Sequence, residues 1–139
     1  MQNQKPTNFI YEVNESLRLN HHVKLSELFS LEDLYLPGGT IFNIALAIKD
    51  IKTNQLRKIF ENVEDAYQLA LSDNFHKASE TLFMIVPSVA YATGRNLIDP
   101  KDFNTFIQLM ITPKRIQSND DIITFFRIMQ TVLAYKTNQ

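Results

Sequence analysis

At 139 residues the chain is long enough for one domain with a genuine core, and 45% hydrophobic against 21% charged residues excludes a disordered polymer. A formal net charge of −1 excludes a global field that gathers nucleic acid, so any such role rests on local patches. The absence of cysteine excludes disulfides and Cys-based zinc sites, and fits a reducing cytoplasm. Met1 to Pro6 lack the apolar region of a signal peptide, and no apolar run is long enough to span a membrane. With only Gly38, Gly39 and Gly94 as glycines and no sustained period-2 alternation, the pattern predicts an all-α fold.

Residues 1–36 read as an N-terminal arm with one or two short helices. Thr7 is placed to cap a segment presenting Phe9, Ile10, Val13 and Leu17. The pair His21-His22 then interrupts the pattern before Leu25, Leu28, Phe29 and Leu31. Adjacent histidines in a helix point about 100° apart, and no third ligand is evident, so they read as surface residues rather than a metal site. Pro37-Gly38-Gly39 is the clearest punctuation and opens the helical domain, 37–139. A phosphate-binding glycine loop needs the Walker lysine and a following Ser or Thr, which are missing, so a turn capped by Gly39 or Thr40 is the better reading. The next helix carries Ile41, Ile44, Ala45, Ile48 and Ile51 and ends around Lys49 to Lys52.

Ile51 to Phe60 opens the strongest helix of the sequence. Thr53 is placed to cap it, and Leu56, Ile59, Phe60, Val63, Tyr67 and Ala70 fall on one face. Its charges run against the helix dipole, with Arg57 and Lys58 just past the first turn and Glu61, Glu64, Asp65 and Asp73 beyond. Exposed N–H groups at a helix start, joined by cations, favour an anion such as phosphate. Between residues 41 and 58, Lys49, Lys52, Arg57 and Lys58 oppose Asp50 alone, a net of +3; between 59 and 93 five acids oppose Lys77, a net of −4. The near-neutral total therefore hides a basic helix–helix junction, whose bland explanation is pairing of Arg57 with Glu61.

A helix is predicted from about Phe75 to Thr93, with Asp73 or Asn74 at its cap and Leu82, Ile85, Val86, Val89 and Ala90 as its stripe. Pro87 clashes with the carbonyl of Phe83 and predicts a kink. Gly94 is placed as the left-handed residue that ends the helix, sending Arg95 off at a fixed angle. Asp99-Pro100-Lys101-Asp102 reads as a helix start with Asp99 as cap, a better explanation of these carboxylates than acid–base chemistry. Phe103, Phe106, Ile107, Met110 and Ile111 form the buried face. Thr112-Pro113 ends that helix, and Lys114-Arg115 adds a second basic spot. Ser118 and Asp121 match a capping box for the last helix, whose apolar residues from Ile122 to Tyr135 cover more than half its circumference. Such a helix is central in a bundle, shared with another subunit, or both.

Three segments resemble the small subunit of the type III-A CRISPR interference (Csm) complex. Thr53-Asn54-Gln55-Leu56-Arg57-Lys58 is similar to the Thr-x-Gln-Ile-Arg-Lys that opens a long helix in that family, with Leu56 in place of the usual Ile. Val89-Ala90-Tyr91-Ala92-Thr93-Gly94-Arg95 is similar to Leu-Ala-Tyr-Ala-x-Gly-Arg, and Phe125-Phe126 with Thr131 to Lys136 to the closing Ala-Tyr helix. The match spans about residues 25–139 in order and spacing. The resemblance implies a bundle of about five helices without catalytic activity or cofactor. Copies of it contact the backbone of target RNA paired to the guide RNA, beside other Csm subunits and adjacent copies of itself, in cytoplasmic antiviral defence. It implies RNA contacts at Arg57, Lys58 and Arg95. Lys52 joins them by proximity, and Lys49, Arg115 and Lys136 by charge alone. Tyr91 and Tyr135 offer rings for base stacking, although their helical positions favour the core. The alternative is a helical adapter or homodimer without RNA binding, and an enzyme ranks last because no convergent set of polar groups is apparent.

Overall fold

A computed structural model of the chain describes residues 6–137, with side chains from residue 9 onward. The cap expected at Thr7 lies outside the described side chains. The described residues are helical throughout their regular structure: α1 (Pro6–Leu19), a 3-10 turn (Leu25–Glu27), α2 (Leu31–Tyr35), α3 (Thr40–Ala47), α4 (Thr53–Leu71), α5 (Phe75–Phe83), α6 (Ile85–Gly94), α7 (Lys101–Met110) and α8 (Asn119–Thr137). With α5 and α6 taken as one kinked helix, the region after residue 37 holds the five helices expected.

Helix α8 is the axis. Ile122, Phe125, Ile128, Met129 and Val132 are buried at helical spacing, and α3, α4, α5 and the 3-10 turn pack around them. Phe126 fixes the seam with α4: its ring stacks on Tyr67 with centroids 3.9 Å apart and lies 5.4 Å from Phe60. Tyr135 meets Phe42 edge-on at 4.9 Å and donates its hydroxyl proton to the Tyr35 carbonyl at 2.7 Å. Tyr135 is thus a packing residue. The exposed positions of α8 are Asp120, Arg127, Gln130, Ala134 and Thr137, a largely polar stripe. Ile123, Leu133 and Tyr135 are half-buried, so most of the apolar surface of α8 packs inside the chain.

The stripe expected on α4 is buried or half-buried at every position, and α7 buries all five residues assigned to it. The kink falls where proline chemistry puts it. Residue 87 has no N–H for the Phe83 carbonyl, and α5 ends at Phe83. Gly39 is the N-cap of α3, as one of the two readings had it. A Cβ there would lie 2.3 Å from the carbonyl oxygen of Glu32, so only glycine lets α2 and α3 approach this closely.

Several helix ends differ from expectation. α4 is preceded by Lys52 as N-cap rather than Thr53, and α7 by Pro100 rather than Asp99; neither start has a side-chain cap. Gly94 is the last residue of α6, and the left-handed residue is Asn96, with φ 62°. The N–H of Leu97 bonds to the Ala92 carbonyl and that of Asn96 to Thr93, the double closure of a Schellman motif. Asp73, with φ 58°, ends α4 in the same way. At the start of α8, Asp121 reaches back to the Ser118 N–H, the acidic half of a capping box, while the Ser118 hydroxyl donates to the same carboxylate.

Residues 9–36 share the core. Ile10, Leu17, Leu25 and Leu34 are buried, and α1 packs on α7 and α3. Two buried charged groups fasten this segment. Asp121 accepts from the Ser26 N–H at 2.8 Å as well as from Gln117 and Ser118. Arg115 donates to the carbonyls of Leu109, Leu17 and Val23 and to the side-chain oxygen of Asn20.

Candidate nucleic-acid interface

The expected RNA-contacting residues separate into three groups. Arg115 leaves the set. It is 1% exposed and its guanidinium is spent on four internal acceptors, so it has nothing to offer a phosphate. Burial pushes its pKa below the usual value, and no carboxylate of the described residues pairs with it. Lys49 and Lys136 come together at one end of the bundle, where the Lys136 ammonium donates to the Lys49 carbonyl at 3.0 Å. That bond uses one of three protons and leaves the charge on the surface.

Lys52, Arg57, Lys58 and Arg95 form the third group. All four are exposed, and none belongs to an ion pair among the described residues. The pairing of Arg57 with Glu61 is therefore not made. α4 begins without a side-chain cap, so the exposed Thr53 and Asn54 add outward N–H groups beside these cations. Arg57 and Lys58 diverge by about 100° around α4. Lys58 faces α6, in line with Gln55 and Asn62, which lie three and four residues to either side of it.

Across from them, α6 presents Tyr91 and Arg95. The Arg95 guanidinium donates to the Tyr91 hydroxyl at 3.0 Å and its central carbon lies 5.7 Å from the ring centroid. Tyr91 is 67% exposed, against the expectation that it joins the core. The helix turns inward with Val89 and Ile85, and Tyr91 falls off that stripe.

Between the two helices lies a cleft of about 310 Å³, floored by Ile59, Ile85, Val89 and Ile98 with Lys58 and Tyr91 at its rim. A second depression of about 390 Å³ continues it past Gln55 and Leu97 to Lys52, bounded by Asp50 and Asp99. The Schellman turn after α6 delivers Leu97 and Ile98 to the shared wall. Lys52 and Lys58 thus lie along one groove. The polar line Gln55, Lys58, Asn62 is the signal that sequence reading missed: it runs beside the apolar stripe of α4 at helical spacing and marks a helix edge bordering a cleft.

No group of three His, Cys, Asp or Glu able to hold a metal occurs among the described residues. His21 and His22 are exposed and meet edge-on at 5.9 Å. No described helix is long and apolar enough to cross a membrane.

No curated protein matches the chain, and no solved structure does. The family model Csm2 Type III-A matches residues 40–138, from the start of α3 past the end of α8, and so includes the groove and all four exposed cations. By that match over most of its length, the chain belongs to the Csm2 Type III-A family of small Csm subunits.

Proposed function

We propose that the protein acts in a type III-A CRISPR RNA-guided complex as a non-catalytic subunit that contacts the backbone of target RNA along the guide–target duplex. Arg57, Lys58, Arg95 and Lys52 make the contacts, with Lys49 and Lys136 as an outlying pair. The observation that carries this reading is that Lys52 and Lys58 line one groove while Arg57 and Arg95 stand exposed at the start of α4 and the end of α6, none of the four in an ion pair among the described residues. An anion arriving there breaks no internal ion pair. A subunit that serves any guide must not read sequence, and phosphate contacts carry none. The net charge of −1 keeps affinity per copy low, so strength comes from several copies arrayed along one strand, beside other Csm subunits in the cytoplasm.

The alternative, a helical adapter or homodimer without RNA, has no use for those cations, and the fully exposed positions of α8 are mainly polar. The experiment that separates the two is co-purification of the tagged chain from its native cells with sequencing of bound RNA. Guide RNAs of repeat–spacer form, with target affinity lost on charge removal at Arg57, Lys58 and Arg95, are expected. Recovery of a protein partner without RNA overturns the proposal.

A further inference from the structure

Resting on the reading that these cations hold an RNA backbone, we infer that the α4–α6 cleft is a pocket for one unpaired base of the bound RNA. Its volume, about 310 Å³, lies at the lower end of small-molecule sites. Its floor of Ile59, Ile85, Val89 and Ile98 is aliphatic, the surroundings that the faces of a base favour. Gln55 and Asn62 line it on the α4 side. Their amides make no hydrogen bond among the described residues, so each offers a donor and an acceptor to a base edge. Such amides satisfy bases of different pattern, in keeping with a subunit that works with any guide.

Tyr91 stands at the rim with most of its ring in solvent. Arg95 holds that ring by a hydrogen bond and a face contact, so the stacking surface is oriented before RNA arrives. Charge fixes the side from which the strand comes. Lys58 lines the cleft itself, and Lys52 lines the adjoining depression. Asp50 and Asp99 weaken that far end for phosphate while no acid lines the cleft, so the phosphate next to the bound base lies on Lys58 and Lys52 takes one farther along the strand. A protein partner filling an aliphatic cleft has no need of unpaired amides beside a lysine, and charge complementarity selects a nucleotide.

The test titrates the full-length, methyl-labelled chain with a short oligouridine and with a base-free oligomer of the same backbone, followed by NMR. Oligouridine is expected to shift the methyls of Ile59, Val89 and Ala92, and the base-free oligomer to shift amides from Lys52 to Lys58 and that of Arg95 but not these methyls. The two affinities are expected to differ by at least about fivefold, the low end for one stacked base. Ser88→Trp, which fills the cleft, should erase that difference and leave base-free binding unchanged, and Tyr91→Ala, at an exposed position, should reduce the difference as well. If oligouridine moves the Lys52–Lys58 amides and leaves the methyls still, or both oligomers move the methyls equally, the base pocket is refuted and the phosphate contact stands. If neither oligomer moves any of these resonances, both ideas fall.

Discussion

The guanidinium of Arg115 donates to the carbonyl oxygen of Leu17 at 2.7 Å, across 98 positions of sequence. Three further acceptors surround it, two of them on the same N-terminal segment. Truncation leaves these buried acceptors unpaired, at about 1–3 kcal/mol each and not additively. Arg115→Met is therefore expected to lower unfolding stability by about 3 kcal/mol in a urea titration. Arg115→Lys should recover little, because an ammonium lacks the planar fork that reaches all four. A loss under about 1 kcal/mol for Arg115→Met contradicts the role assigned here.

Asp121 makes the complementary test. Its two carboxylate oxygens accept from three backbone N–H groups, those of Ser26, Gln117 and Ser118. In Asp121→Asn one oxygen becomes an NH₂ group that faces a donor. The expected cost is about 2 kcal/mol, with the Ser26 amide becoming faster in hydrogen exchange. Unchanged protection at Ser26 counts against it.

Two glycines give opposite predictions. Gly39→Ala drives a methyl into the Glu32 carbonyl and the Asp33 backbone, neither of which is a flexible side-chain end. It is expected to destabilise by about 1–3 kcal/mol. Gly94→Ala adds a methyl to open space within helix α6, and is expected to be neutral or stabilising by up to about 1 kcal/mol. Thermal melts of the two variants decide both, and equal melting temperatures refute the contrast.

RNA affinity is expected to fall with salt, and the slope to count the contacts. Each phosphate contact to a single strand contributes roughly 0.7 to the slope of log K against log salt concentration. Combined neutralisation of Arg57, Lys58 and Arg95 should flatten the slope by about 2. Neutralising Lys77, which lies outside the groove, serves as the control and should leave the slope as it was. An unchanged slope in the triple variant removes these residues from the interface.

Much of the fold was legible because its signals are local. The stripe from Leu56 to Ala70 on α4, the break before Pro87 and the cap at Gly39 each depend on neighbours within a turn or two. Helix ends slipped where two residues compete for the same place: Asn96 took the left-handed position expected of Gly94, and Lys52 the capping position expected of Thr53. Of the candidate site, the cations at Lys52, Arg57, Lys58 and Arg95 were legible as surface charge. The burial of Arg115 was not. A Lys-Arg pair after Thr-Pro looks like solvent-facing charge, and most of the acceptors that draw it inward lie more than 90 residues away. The exposure of Tyr91 escaped for the opposite reason, since one further step around α6 separates core from rim.

The fastening of the N-terminal segment has a consequence for the order in which the chain matures. Arg115 and Asp121, opposite in charge and six positions apart, hold residues between Leu17 and Ser26 through bonds spanning 92 to 98 positions. Contacts of such separation are slow to close, because the loop entropy is paid before they reward it. During synthesis α1 emerges first, yet the groups that fix its far end appear only once residue 121 has been made. The bonds that fasten residues Leu17 to Ser26 therefore close only after α3, α4 and α7 have been made.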